Sequence, residues 1–317
     1  MFILKHKDIV VLEVVLHVGR PFEVLSIADY LKGVGYEVGC VVYESSASAF
    51  TIEEYLDQAH FRHLSGGDFT IIPPHVIRAR LRAISPRLII GPWFVAKHCP
   101  PEIPFFAWCL GPYGGIKDLA DDVHILANSQ TTKKQLYADE RGFGPDREIK
   151  SLIAPIDYSL FRQYARPWKD RKHDLIAVSR TGMCGERKNT HLHKEFDNIV
   201  SITDEHKLVM DRTTIAKAMG DAKIFIHLSE RESGPLVAYE AMNAGCYPLF
   251  YGVGSVLEQL GSEEFIIREL NIPQLKKRIQ GILSSDFDYK AIMARGQLFD
   301  QEIVGPAFVD YIKEKVM

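Results

Sequence analysis

The stretch SERESGPLVAYEAMNAG, residues 229–245, directly follows a short apolar run, KIFIH, at residues 223–227. The apolar run is typical of a buried strand. Gly234 and Pro235 then mark the exit from the strand, and proline is favoured at the start of a helix because its missing N–H would have no intrahelical partner there. The helix that begins at Pro235 is predicted to stop at Gly245. The pattern therefore predicts a strand, a tight loop and a helix in direct succession.

The loop amides and the start of this helix form a site suited to a phosphate or diphosphate. Glu232 lies in the loop, and Glu240 lies in the helix. Carboxylates accept hydrogen bonds from hydroxyl groups, so a ligand with a central diphosphate and sugar diols at both ends fits both features. Such a ligand is a nucleotide-sugar. The alternative is an ordinary turn with solvated acidic residues. The other residues predicted to line the site are Ser233, Gly234, Pro235 and Leu236.

The spacing from Glu232 to Glu240, followed by Gly245-Cys246-Tyr247-Pro248, resembles the signature of GT4-like retaining glycosyltransferases. These enzymes have the GT-B fold, an α/β architecture of two Rossmann-like domains facing a central cleft. The resemblance implies that Glu232 contacts the donor sugar and that Glu240 holds the nucleotide ribose. It also implies that the amides between them bind the diphosphate.

The resemblance and the composition together predict the domain boundaries. Residues 1–160 are expected to form an N-terminal Rossmann-like domain on the acceptor side, joined by a C-terminal helix at residues 303–317. Residues 161–172 are polar, contain Pro167 and are predicted to be a hinge. Residues 173–302 are expected to form the Rossmann-like domain that binds the nucleotide-sugar.

The N-terminal part begins with a predicted strand at residues 9–17, a turn at Gly19, a helix from Pro21 and a second strand at residues 37–43. This succession is the opening of a Rossmann-like domain. Gly19 resembles the glycine turn after the first strand of GT-B enzymes, where it contributes to donor binding. The apolar positions of the helix keep helical spacing and are Val24, Ile27, Leu31 and Val34.

Arg180 stands at the end of the next predicted strand, and Lys188 lies in the glycine-rich loop after it. They resemble the Arg and Lys that neutralise the donor diphosphate in this family, with Arg187 as a rival; ordinary surface charges are the alternative. Fixed cations stabilise charge on a leaving phosphate, so the resemblance implies catalysis by Glu232, Arg180 and Lys188 without a metal cofactor. Gly254 resembles a family loop that adds backbone contacts to the donor.

Two other patterns compete with this assignment. Asp286 and Asp288 form a DxD triplet, which binds metal in the other glycosyltransferase fold, but its position between helices favours a turn or helix cap. Many members of the family place a His of the first domain near the sugar, and His17 and His98 are the candidates here. A lone His is more often structural.

Composition limits the class of protein. The net charge of −3 gives the chain no overall electrostatic attraction to nucleic acids or acidic membranes. No apolar run approaches the length that spans a bilayer. The N-terminus lacks signal-peptide character, and the five cysteines contain no CxxC pair, so we expect a cytoplasmic protein without a disulfide framework. One basic cluster, at Arg78, Arg80, Arg82 and Arg87, is either a solvated helix face or a contact for acceptor phosphates or a membrane.

The sequence thus predicts transfer of a sugar from a nucleotide-sugar to an acceptor hydroxyl with retention of configuration. The acceptor is left open among a glycan, a lipid, a small molecule and a nucleic acid. The alternatives are a nucleotide-sugar epimerase of GT-B type and a non-catalytic protein that binds a nucleotide-sugar.

Overall fold

The chain forms two compact units in the computed structural model. The first unit contains Met1–Ile156 and Gln301–Met317, and the second contains Asp157–Asp300. The structure describes residues 8–13, 20–42, 52–111, 116–140, 142–143, 146–179, 188–203 and 211–316.

Strands and helices alternate along much of the described chain. The strands are β1 (Ile9–Glu13), β2 (Val38–Val42), β3 (Phe69–Ile71), β4 (Leu88–Pro92), β5 (Phe105–Cys109), β6 (His124–Ala127), β7 (Ile149–Ser151), β8 (His173–Ser179), β9 (Ile199–Thr203), β10 (Ala222–His227), β11 (Tyr247–Tyr251) and β12 (Ile266–Ile267). The α-helices are α1 (Arg20–Gly33), α2 (Ile52–Ala59), α3 (Ile77–Ile84), α4 (Gln130–Ala138), α5 (Ser159–Tyr164), α6 (Arg212–Gly220), α7 (Leu236–Asn243), α8 (Val256–Leu260), α9 (Ile272–Leu283), α10 (Tyr289–Gln297) and α11 (Gln301–Val316).

The first unit is built on a seven-stranded sheet in the order β3-β2-β1-β4-β5-β6-β7, and all its described pairings are parallel. The residues of β2, β4 and β5 are all buried, as expected for parallel strands covered on both faces. Helix α11 belongs to this unit, where the Phe308 ring lies 6.2 Å from the Trp108 ring between centroids. The predicted Rossmann-like succession is therefore present from β1 to β2.

The second unit contains a five-stranded parallel sheet in the order β12-β11-β10-β8-β9. The chain proceeds from β8 to β9 on one side and then continues from β10 to β11 and β12 on the other. The strand order therefore reverses between β8 and β10. Ligands of open α/β sheets bind outside the carboxyl ends of the strands at such a reversal. The two loops that follow β8 and β10 therefore lie where a ligand site is expected.

Packing within the second unit fixes the position of α7. Gly296 on α10 lies against this helix, where an added Cβ would stand 2.8 Å from Asn243 Nδ2 and 3.0 Å from its backbone nitrogen. From the other side, Arg162 donates to Asn243 Oδ1 at 2.7 Å and pairs with Asp300 at 2.6 Å. The close helix contact and the hydrogen bond from Arg162 hold α7, which carries Glu240, in one orientation.

Several local expectations are corrected by the structure. Val34 is 49% exposed, because α1 ends at Gly33 and Val34 falls outside the buried helix face. Thr213 is the expected cap of a short helix that ends at Gly220, but Asp211 caps α6 by accepting from the amides of Thr213 and Thr214. Helix α10 was not predicted, and the predicted strand at residues 207–210 lies outside the described residues.

In the parts of the chain that the structure describes, no helix combines the length and apolar character needed to cross a bilayer.

Candidate functional site

The loop between β10 and α7 has the predicted strand–loop–helix form. Strand β10 ends at His227, and α7 begins at Leu236 with Pro235 in extended conformation as its N-cap. Ser233 accepts a backbone hydrogen bond from Ser255 at 2.8 Å, which ties the loop to the segment after β11. A helix leaves its first amides without intrahelical acceptors, so the amides at the start of α7 are suited to an anion.

Glu232 is the centre of a charged cluster in this loop. Its Oε1 accepts a hydrogen bond from Lys188 Nζ and lies 3.0 Å from His227 Nε2. The Glu232 side chain is only 14% exposed. Burial alone would raise the pKa of Glu232, but the interactions with His227 and Lys188 outweigh it and lower the pKa to about 2. Glu232 is therefore ionised at neutral pH despite its burial.

Lys188 reaches Glu232 from the loop that follows β8. The next residue, Asn189, has a left-handed backbone (φ 53°) and donates from its side chain to the carbonyl of Leu228 at 3.0 Å. This hydrogen bond joins the loop after β8 to the loop after β10. The structure thus brings Lys188 and Glu232 together at the reversal of strand order.

His227 contacts Glu232 in the candidate site and was not among the residues predicted from the sequence. Its ring is 3% exposed and lies 5.2 Å from the Phe250 ring and 6.4 Å from the Phe225 ring between centroids. Among the described residues, its Nδ1 atom has no hydrogen-bond partner. A signal was present, because a His ending the otherwise apolar run IFIH is an unusual residue for a buried strand end.

Glu240 lies in a second charged pair with Arg212, which was also missed. Arg212 Nε is 3.5 Å from Glu240 Oε1, and the two side chains are 9% and 13% exposed. The Arg212 guanidinium also stands 5.2 Å above the Phe161 ring and donates to the carbonyl of Asp157 at 3.3 Å. Burial raises the pKa of Glu240, and the nearby charge of Arg212 only partly offsets this effect.

Gly254 shapes the loop after β11 where it meets the Glu232 loop. Its φ is +56°, a conformation that favours glycine, and an added Cβ would lie 2.2 Å from the Glu232 carbonyl oxygen and 2.5 Å from that of Ser233. Only a residue without a side chain permits this approach. Gly254 therefore acts here through backbone proximity to Glu232 and Ser233.

Some predicted residues are placed elsewhere or lie outside the described residues. Arg180, Arg187, Gly19 and His17 belong to the latter group. Asp288 caps α10 by accepting from the amides of Lys290 and Ala291, so the DxD triplet serves as a helix cap. No group of three or more His, Cys, Asp or Glu residues suited to a metal occurs among the residues that the structure describes.

The basic cluster in the first unit is partly engaged by the protein itself. Arg82 forms an ion pair with Glu102 at 2.6 Å, and Arg78 donates to the carbonyl of Lys97 at 2.7 Å. Arg82 and Glu102 are both more than half exposed. These contacts fit the solvated helix face that the sequence analysis offered as one of two interpretations.

The charged loops at the strand reversal lie within a region that matches a known family. Residues 182–297 match the family described as Glycosyl transferases group 1. The matched residues all lie within the second unit. Lys188, Glu232, Glu240 and Gly254 all fall within the matched residues, whereas Arg180 and Gly19 do not.

Solved structures similar to the whole chain are GT-B glycosyltransferases. A glycosyltransferase from Rickettsia africae has a TM-score of 0.70 at 14% identity, with 98% of each chain covered. Anabaena HepE, solved in complex with UDP and glucose, has a TM-score of 0.72 at 16% identity, with 97% of this chain and all of that chain covered. An alpha-glucosyltransferase in complex with UDP-glucose and DNA has a TM-score of 0.65 at 12% identity, with 96% and 99% covered.

These comparisons confirm the GT-B fold and the resemblance to GT-B glycosyltransferases, while the GT4 subgroup stays a prediction. No curated protein sequence matches this chain significantly. The family match is confined to the second unit, whereas the structural similarity extends over both units.

Proposed function

We propose that this chain transfers a sugar from a nucleotide-sugar donor to an acceptor hydroxyl with retention of anomeric configuration. The observation that carries the proposal is the convergence of Lys188 and His227 on the Glu232 carboxylate at the strand reversal of the second unit. The ionised carboxylate can accept hydrogen bonds from the hydroxyls of such a donor. The adjacent cation and the start of the helix can bind its phosphates. Anabaena HepE, with UDP and glucose bound, supports this choice of ligand.

Each part of the donor has a proposed partner. The amides of the loop residues Ser233, Gly234 and Leu236 and the side chain of Lys188 hold the diphosphate, with Arg180 as a second cation by family resemblance. Glu240 accepts hydrogen bonds from the ribose, and Glu232 accepts them from the donor sugar. Pro235 sets the start of α7, whereas Gly254 and Gly19 allow the donor to approach the backbone.

The chemistry follows from where charge develops. The bond between the anomeric carbon and the diphosphate oxygen breaks, and negative charge grows on the departing phosphate. Lys188 and the start of α7 stabilise that charge, which is the kind of fixed electrostatic contribution that often dominates catalysis. The acceptor oxygen forms its bond from the same face, and its proton passes to the departing phosphate oxygen, so configuration is retained. We propose that these cations serve in place of a metal cofactor.

The proposal extends to the two units and to their location. We propose that the first unit binds the acceptor and that the reaction takes place in the cytoplasm. Three of the described cysteines, Cys99, Cys109 and Cys246, are buried and form no disulfide, which supports a reducing compartment.

The test has a binding step and a product step. Nucleoside diphosphates and nucleotide-sugars are screened for an increase in melting temperature, since a ligand that binds only the folded state stabilises it by roughly 2.7 kcal/mol at a hundredfold excess over its dissociation constant. The donor that binds is then incubated with candidate acceptors, and the anomeric configuration of the product is determined by NMR. Transfer with retention supports the proposal. Conversion of the donor sugar without any acceptor would instead identify an epimerase, and binding without turnover would identify a non-catalytic protein.

A further inference from the structure

The Glu232 carboxylate has two partners on one oxygen, and they differ in how firmly they are held. Lys188 is 21% exposed and reaches Oε1 with the end of a flexible four-carbon stem. His227 is 3% exposed, and its ring is packed beside Phe225 and Phe250. The first partner can exchange its acceptor, whereas the second is fixed by the core.

The protonation of the pair defines the direction of the hydrogen bond. Since the pKa of Glu232 is lowered to about 2, its carboxylate can only accept at neutral pH. His227 Nε2 therefore carries the hydrogen and donates to Oε1 across 3.0 Å. In a neutral ring, Nδ1 is then an acceptor, and leaving a weak acceptor unpaired in this apolar position costs less than leaving a charged donor there.

We propose that His227 is a positioning residue that keeps the Glu232 carboxylate in place when Lys188 moves to the donor diphosphate. This inference rests on the proposed function, in which Lys188 neutralises the diphosphate. The ammonium group of Lys188 has three N–H donors on a flexible stem, so contact with the departing phosphate draws it from Glu232 or divides it between the two acceptors. The Nε2–H of His227 then remains as the fixed donor to Oε1, and Glu232 keeps its other oxygen available for the hydroxyls of the donor sugar.

The expected consequence separates His227 from Lys188. Without the imidazole, Glu232 loses its fixed partner at the stage when Lys188 is engaged elsewhere, so turnover falls. A nucleoside diphosphate has no sugar to position, so its affinity does not depend on His227. Its affinity does depend on Lys188.

The experiment compares a matched pair of variants. His227→Leu keeps an apolar side chain of similar volume and removes the donor, whereas His227→Gln places an amide N–H near the position of Nε2. We measure kcat at saturating donor, the Kd for the nucleoside diphosphate by calorimetry and the melting temperature, with Lys188→Ala as the binding control. We expect His227→Leu to lower kcat roughly tenfold or more and His227→Gln to recover most of the loss. Both should bind the nucleoside diphosphate within about twofold of wild type, whereas Lys188→Ala binds it more weakly.

An equal loss of kcat in His227→Leu and His227→Gln, or a nucleoside diphosphate affinity that falls as much in His227→Leu as in Lys188→Ala, would overturn the inference. A second measurement is independent of turnover: histidine ¹⁵N NMR of the ligand-free protein should show a hydrogen on Nε2 of His227, and an Nδ1–H tautomer with a bare Nε2 would overturn the inference. A wild-type chain that transfers no sugar removes the proposed function and the inference with it. An active wild type with an equally active His227→Leu variant removes the inference alone.

Discussion

Arg212 and Glu240 form a pair on α6 and α7, with Arg212 Nε 3.5 Å from Glu240 Oε1. Glu240 is therefore already paired with Arg212 in the ligand-free protein, although burial still raises the pKa of its carboxyl group. Ionisation of Glu240 lowers the stability of the fold, whereas the proposed contact with the ribose uses the ionised carboxylate. A change at Glu240 should therefore affect folding stability and donor binding in opposite directions.

Glu240→Gln is expected to stabilise the ligand-free protein at pH 7 while weakening donor binding. Because the folded-state pKa of Glu240 lies above its ordinary value near 4.5, its protonated form favours the fold. The stabilisation by protonated Glu240 is fully present below the pKa that Glu240 has in the unfolded chain. It is lost as the pH rises through the pKa that Glu240 has in the folded protein. The melting temperature of Glu240→Gln should thus exceed that of wild type at pH 7, and the two should converge near pH 4.

The control for this effect is Glu269→Gln, which changes an exposed carboxylate in the same unit. It should leave both the melting temperature and the donor affinity close to wild type. A lower melting temperature for Glu240→Gln at pH 7 would contradict the assigned direction of the pKa shift.

Arg212→Ala should weaken donor binding roughly tenfold and make it depend on pH. Removing one partner of a buried ion pair costs about 3–5 kcal/mol when the remaining charge stays buried, and uptake of a proton by Glu240 reduces that cost. Donor Kd is measured at pH 6 and pH 8 together with the melting temperature. Arg212→Lys keeps the charge but loses the planar contact with Phe161, so it should fall between wild type and Arg212→Ala.

The double variant Arg212→Ala with Glu240→Gln tests whether the two residues act as a pair. Coupled residues show non-additive effects in a double-mutant cycle. We expect the loss of stability in the double variant to be smaller than in Arg212→Ala alone. Strict additivity of the two changes would show that the pair carries no coupling.

The two glutamates should differ in steady-state kinetics. Glu232→Ala and Lys188→Ala should lower kcat at saturating donor, because both act where charge develops, and one such contact is worth about 3 kcal/mol, or roughly a hundredfold in rate. Glu240→Ala should mainly raise the KM for the donor, because the ribose is remote from the breaking bond. Each variant is first checked for folding by its melting temperature. Reduced saturated turnover in Glu240→Ala with normal turnover in Glu232→Ala would reverse the two assignments.

Gly254→Ala should destabilise the donor loop. The new Cβ would lie 2.2 Å from the Glu232 carbonyl oxygen, in a backbone conformation with φ of +56°. We expect a loss of about 1–3 kcal/mol in unfolding free energy together with weaker donor binding. Gly281→Ala is the matched control, because Gly281 lies within α9 with no heavy atom within 4 Å of the added Cβ. That change should stabilise the protein by up to about 1 kcal/mol.

Transfer activity should survive treatment with EDTA, because the proposed cations are side chains. The measurement is the transfer rate before and after chelation, followed by addition of magnesium or manganese. A complete loss with EDTA that either metal restores would contradict the proposal and favour a metal-dependent mechanism.

Local patterns in the sequence predicted most elements near the site. Strand β10 (Ala222–His227) contains the apolar run at residues 223–227, and α7 (Leu236–Asn243) lies within the helix predicted between Pro235 and Gly245. These features depend on residues close together in the chain, through apolar periodicity, capping hydrogen bonds and turn residues. The glutamates at positions 232 and 240 were found in the same way, because one short stretch contains both of them.

The sequence by itself determined the succession of strand, loop and helix, and with it the place of both glutamates. Only the tertiary structure decided their partners. Lys188 meets Glu232 because β8 and β10 are neighbours at the strand reversal, and His227 at the end of β10 contacts the same carboxylate. Arg212 on α6 and Glu240 on α7 come within 3.5 Å of each other through the packing of the second unit. Contacts of this kind depend on which strands and helices become neighbours, and no local spacing encodes that choice. The same holds for the pKa values of Glu232 and Glu240, since burial and nearby charges are set by packing.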